Sequence, residues 1–127
     1  GILKYQDEKT KLFYQVVDHP EAEGNYTETS GSAMIAYSIM KACRMGILNS
    51  EKYAGIGIEI FDSIVRHKLV FENGSCKLTD ICRVAGLGPG DKRDGSVEYY
   101  IGEEVVSDDS KGVGPFMMAY AQKMLIG

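Results

Sequence analysis

A chain of 127 residues, 44% apolar and 25% charged, is long enough for one globular domain and too apolar for a disordered segment. Its formal net charge of −4, with basic residues scattered along the chain, lacks the positive stripe of a nucleic-acid binder, so no nucleic-acid partner is expected. No apolar run approaches the roughly 18–20 residues that span a bilayer, and Gly1 opens neither a basic segment nor a signal-like apolar core, so no membrane partner is expected either.

In chain order, Ile2 to Gln6 reads as the tail of a helix, and Asp7 to Lys11 as a polar break. Leu12 to Val17 is a short β-prone run, ended by Asp18, His19, Pro20 and Gly24. Asn25 and Glu28 have capping-box spacing, with Thr29 and Ser30 as alternative caps, so a helix is predicted from here to Gly46. Its small residues and its near-complete apolar circumference mark it as a buried inner helix. Ser50 should cap the next helix, Glu51 to about Val70, where Tyr53, Ile56, Ile60, Ile64 and His67 recur on one face of an amphipathic outer helix. Asn73 and Gly74 form a turn. Lys77 to Val84 and Val97 to Val106 read as extended, and Ser110 to Leu125 as a second inner helix, started among the small residues Gly112 and Gly114 beside Pro115.

Candidate chemistry concentrates between Ile81 and Phe116. Gly86, Gly88, Pro89, Gly90 and Gly95 break regular structure there, while Arg93, Asp94, Glu98, Tyr99 and Tyr100 supply charges and flat faces suited to polar, ring-shaped ligands. Arg93 can grip a carboxylate in two places and Asp94 can accept from hydroxyls; equally, the two can bridge each other and hold the loop. Glu28, Thr29 and Ser30 start the first inner helix, where backbone N–H groups favour an anion such as a carboxylate, although plain capping uses the same groups. Along Leu12 to Val17 alternation places one aromatic inward; Tyr14 is expected on an internal hydrogen-bond network, with Phe13 as a rim contact for a sugar face.

Several other chemistries find no support. GLGPGDKRDG lacks phosphate-loop spacing. Cys43, Cys76 and Cys82 are an odd set without a CxxC pair, which signals neither a disulfide framework nor zinc and points to a reducing, cytoplasmic setting. Cys43 reads as a buried, inert thiol, and Cys82 as nucleophile would need a base and an electropositive setting. His19 and His67 are far apart, so no metal is assigned. A carboxylate pair drawn from Asp94, Glu98, Asp108 and Asp109 is formally possible, but spacing alone does not give the separation a glycosidase requires.

LFYQVVD (12–18), NYTETSGSAM (25–34), and VAGLG, RDGSVEYYIGE and DDSKGVGPF between Val84 and Phe116 occur in an order that resembles the C-terminal part of the unsaturated glucuronyl and rhamnogalacturonyl hydrolases, glycoside hydrolase family 105 and its relative family 88. With the connecting helices the resemblance covers nearly the whole chain. The family usually carries Trp where Phe13 and Tyr26 stand, and this chain has no Trp, which puts the preferred sugar in question.

The resemblance implies an all-α fold, the last third of an α/α toroid of six helical hairpins with short β segments in its loops, residues 1–127 being part of a single hydrolase domain. Gly1 is then an expression remnant or the start of a fragment. The implied reaction is cofactor-free hydration of the enol-ether double bond in a terminal 4,5-unsaturated uronyl residue. An Asp general acid protonates C4, water adds at C5, and the hemiketal opens. That Asp comes from an earlier part of the family's chain, and no residue here matches its motif. The expected contribution is therefore binding: Tyr14, Glu28, Ser30, Gly86, Leu87, Arg93, Asp94 and Tyr99, facing an unsaturated uronyl oligosaccharide. The chain alone is expected to be inactive and to self-associate or need the N-terminal part. The alternative is a non-catalytic carbohydrate-binding or assembly module derived from the same fold.

Overall fold

The computed structural model describes residues 1–90 and 93–126. A single 3-10 turn, Ile2–Tyr5, precedes the first helix, α1 (Thr29–Arg44); α2 (Ser50–Lys68) follows, then a hairpin of β1 (Leu69–Glu72) and β2 (Ser75–Leu78). β3 (Ile81–Cys82) pairs antiparallel with β4 (Val105–Val106), the short helix α3 (Val97–Gly102) lies between them, and α4 (Ser110–Ile126) closes the chain.

The three long helices make one layer, with α1 packed against both α2 and α4. Ala33, Ala36, Ile39, Met40 and Cys43 give α1 a buried face of mostly small side chains, which lets its neighbours approach. Gly57 of α2 lies where a Cβ would sit 2.7 Å from Met40 Cγ and 3.3 Å from the Ala36 carbonyl oxygen. Gly112 of α4 is as tightly placed, since a Cβ there would approach Ile81 Cδ1 to 2.4 Å. Between α2 and α4, Phe61 stacks on Phe116 with centroids 5.2 Å apart, and Asp62 pairs with Lys123. α4 buries only Gly112, Ala119 and Gln122, leaving Met117, Met118, Tyr120, Met124 and Leu125 exposed.

Several sequence expectations are corrected. Asn49, not Ser50, caps α2 by accepting from the Lys52 N–H. His67 is exposed. α1 ends at Arg44, and Leu69 and Val70 belong to β1. Val97–Gly102 is helical rather than extended: the Ser96 hydroxyl accepts from the Tyr99 N–H, and a cap outweighs the β preference of two tyrosines. α4 starts at Ser110 as expected, because Asp109 precedes it, its carboxylate accepting from the Lys111 N–H and its carbonyl from Gly112 and Val113. Pro115 consequently falls in the second turn, and lacking an N–H it leaves the Lys111 carbonyl without an i+4 donor.

The hairpin is tied to the start of α1 through Asp80, held at φ 58°. Its carbonyl accepts from the Thr29 N–H, the Thr29 hydroxyl donates to the Thr79 carbonyl, and the Asp80 carboxylate pairs at 2.6 Å with Lys68, whose side chain is only 7% exposed. Asp80→Asn strands that ammonium. Because the Asp80 side chain is 44% exposed, the expected loss is about 1–2 kcal/mol, below the ~3–5 kcal/mol of a wholly buried pair. Guanidinium unfolding followed by circular dichroism measures it.

Candidate functional site

Glu28 organises the region where α1, β3 and α4 meet. It sits in extended conformation before α1, its side chain 5% exposed, and its carboxylate accepts from the N–H groups of Ser30 (3.0 Å) and Gly31 (2.6 Å), from the Ser30 hydroxyl (2.7 Å) and from the Cys82 N–H (3.0 Å). Four donors compensate one buried charge. The remaining first-turn donors are also taken: Thr29 N–H by the Asp80 carbonyl, Ser32 N–H by the Glu28 carbonyl. Of the two readings of this helix end, plain capping is the one seen, since the protein's own carboxylate takes these donors. Asn25, expected in the cap, instead staples the preceding loop, donating to the Val16 and His19 carbonyls and accepting from the Val16 N–H.

In front of Glu28 opens a cleft of about 480 Å³. Gln15, Glu28, Ser30 and Cys82 form its polar side, Met34, Val84, Ala85 and Pro115 its apolar walls, and Lys111 stands at the first turn of α4. The Gln15 amide donates to Cys82 Sγ (3.2 Å) and to the Tyr100 carbonyl (3.3 Å), fixing its orientation. Lys111 Nζ lies 2.8 Å from Asp109 Oδ1, and that bond holds the Asp109 carboxyl below its usual range. Behind Cys82 the Tyr26 hydroxyl is buried with no hydrogen-bond partner among the described residues. Burial, then the neighbouring Cys82 and Glu28, push the Tyr26 phenol well up, so it stays neutral. Burial likewise pushes the Cys82 thiol up, with Glu28 adding to the effect, so Cys82 is a protonated thiol rather than a nucleophile.

The residues expected from sequence divide between places. Glu28 and Ser30 line the cleft, and among the described residues the Gly-rich loop reaches it through its first residues, Val84 and Ala85. Tyr99 clasps the loop: its hydroxyl donates to the Gly86 carbonyl and accepts from the Gly86 N–H, both at 3.0 Å. Tyr99→Phe is expected to speed exchange of the Gly86 amide proton in hydrogen-exchange NMR, because both bonds of the clasp are lost. Leu87 is 72% exposed, beside Gly95. Asp94 accepts from the Ser96 N–H at the approach to α3, and that side chain and backbone together hold its carboxyl low. Arg93 makes a backbone bridge with Gly88. Asp91 and Lys92, inside the expected 85–94 binding loop, lie outside the described residues.

The two aromatics of the early run are reversed. Phe13 is 2% exposed and part of the core, whereas Tyr14 forms an isolated bridge with Thr27 and lines a separate hollow of about 400 Å³ with Tyr5, Asp7 and Asp18. The run is held by pairing with the loop before α1: the Phe13 carbonyl accepts from Glu28 N–H, and Phe13 N–H donates to the Ser32 hydroxyl. Gln15, Cys82 and Lys111 went unassigned from sequence. Gln15 alternates with Phe13 along the run, and Lys111 follows a capping Asp, but only the fold brings them together. Among the described residues no group of three His, Cys, Asp or Glu side chains is placed to hold a metal ion, and no helix is long and apolar enough to cross a membrane.

A layer of helices whose capped starts and loop strands frame a cleft, with one helix left uncovered, is part of an α/α toroid. The chain belongs to Glycosyl Hydrolase Family 88, which residues 1–125 match. It is 44% identical over 132 aligned positions to Protein Atu3128 of Agrobacterium fabrum and, to the same extent, to the 24.9 kDa protein in the picA locus of Rhizobium radiobacter, covering 99% of this chain and 56% of each relative. The chain thus spans about half the length of these curated relatives. Among solved structures it superposes on a family 105 glycoside hydrolase from C. acetobutylicum with TM-score 0.90 and 43% identity, covering 98% of this chain and 34% of that one. A possible member of family 105 from Salmonella enterica gives TM-score 0.66 at 26% identity, over 98% of this chain and 28% of that one.

Proposed function

We propose that the complete protein is a glycoside hydrolase that removes a terminal 4,5-unsaturated uronyl residue from lyase-generated oligosaccharides by hydrating the enol-ether double bond, and that residues 1–127 are part of its single catalytic domain. The observation that carries the reading is the 43% identity and TM-score of 0.90 to the family 105 structure over 98% of the chain, combined with the cleft in front of Glu28. This chain supplies a wall of the binding cleft. Glu28 is not its acid, because both carboxylate oxygens are already taken up by four protein donors and hold β3 against α1. The general acid comes from outside these residues, and the uncovered α4 face is where the rest of the domain packs. In this reading Gly86, Leu87, Arg93, Asp94 and Tyr99 contribute contacts beyond the cleft lining, and Tyr14, in its separate hollow, serves a more distant part of the saccharide.

The test is an assay of the complete protein on an unsaturated uronyl disaccharide, following loss of the absorbance of the conjugated double bond. Turnover is expected, with none on the saturated disaccharide. Saccharide binding by the complete protein without turnover would replace this reading by a non-catalytic binding module.

A further inference from the structure

We infer that Lys111 is the residue that recognises the carboxylate of the sugar bound in this cleft, and that the cleft's apolar lining selects a ring lacking a hydroxyl at C4; the inference rests on the proposed reading and assigns it a specificity determinant. The helix start that would ordinarily offer an anion site is filled by Glu28, so a ligand anion must find its donor elsewhere. Among the described residues that line the cleft, Lys111 is the cationic one. An ammonium has three donors, and Asp109 takes one at 2.8 Å, which orients the group and leaves two for a ligand. The bond also anchors Lys111 to the cap of α4, so the charge is positioned at little conformational cost on binding.

The same cleft is lined by Met34 and Val84, each 47% exposed, with Ala85 and Pro115. Such a wall gives nothing to a hydroxyl but buries a C–H face. A 4,5-unsaturated uronyl ring has that form: C4 carries no hydroxyl, C4 and C5 are flat, and the carboxylate projects from C5 in the plane of the double bond. With the ring against Met34 and Val84 the carboxylate reaches toward Lys111, while a saturated ring would bury its C4 hydroxyl without a partner.

The experiment compares binding of the unsaturated uronyl disaccharide and of its methyl ester to the complete protein by stopped-flow intrinsic fluorescence, read in the pre-steady state before turnover, for wild type, Lys111→Met and Lys111→Arg. Loss of a charge-assisted hydrogen bond predicts about a tenfold or greater weakening of the free acid by Lys111→Met. The ester should bind both proteins alike, and Lys111→Arg should restore most of the acid's affinity. Equal weakening of acid and ester, or unchanged affinity for both, would overturn the assignment. Because binding is read without turnover, a wild-type protein that discriminates acid from ester but never hydrolyses it would sink the proposed activity and leave the role of Lys111 standing.

Discussion

Phe13→Ala lowers the stability of the fold by about 3–5 kcal/mol, the range for removing a fully enclosed aromatic side chain. Phe13 is 2% exposed and belongs to the cluster that includes Leu12, Ala33, Ala36, Ile60 and Ile64, so truncation leaves a cavity that close-packed helices do not refill. Its backbone is fixed on both sides, to the Ser32 hydroxyl and to the Glu28 N–H, which prevents the run from sliding inward to compensate. Tyr14→Ala, one residue on and half-buried, should cost far less. Guanidinium unfolding of the two variants separates them; a Phe13→Ala loss below that of Tyr14→Ala would mean that Phe13 is the outward residue after all.

Glu28→Ala is expected to cost about 2–4 kcal/mol, as two contributions. Loss of the cap at α1 accounts for ~1 kcal/mol, and the Cys82 N–H, deprived of its acceptor where β3 meets the helix, adds ~1–3 kcal/mol. Glu28→Gln keeps one acceptor oxygen but turns an amide N–H₂ toward other donors, so an intermediate loss is expected. Thermal and denaturant unfolding measure both. Because the same carboxylate joins the start of α1 to β3, the Ala variant should also raise hydrogen exchange at Cys82 and Gly31 well above that of the core amides of α2. A variant as stable as wild type would show that the four short contacts contribute nothing net.

The helical layer was legible because its signals are local. Periodic apolar residues from Tyr53 to Ile64, small residues from Ser32 to Ala42 and the apolar run from Val113 to Met124 place three helices within a few residues of where they lie. The misplaced boundaries come from displaced caps, Glu28 three residues after Asn25 and Asn49 one residue before Ser50. Glu is an uncommon cap, and its choice here depends on the Cys82 N–H, 54 positions away, which no window of sequence contains. The same long-range dependence hid the cleft. Arg93 and Asp94 are chemically the better-looking pair, yet Asp94 turns back on Ser96, while Gln15, Cys82 and Lys111 converge from three distant segments. The β preference of Tyr99 and Tyr100 favours a strand, yet the Ser96 cap makes the segment helical. Phe13 and Tyr14 were assigned opposite faces correctly but in the wrong sense, because alternation fixes the period and leaves the phase to packing.

The measurement that bears most directly on the account is a crystal structure of the complete protein with an unsaturated uronyl disaccharide bound. The account predicts the unsaturated ring in the cleft before Glu28, its face on Met34 and Val84 and its carboxylate within hydrogen-bond distance of Lys111 Nζ. A disaccharide seated instead in the hollow beside Tyr14, or held by residues of the 86–94 loop with the cleft left to solvent, would contradict it.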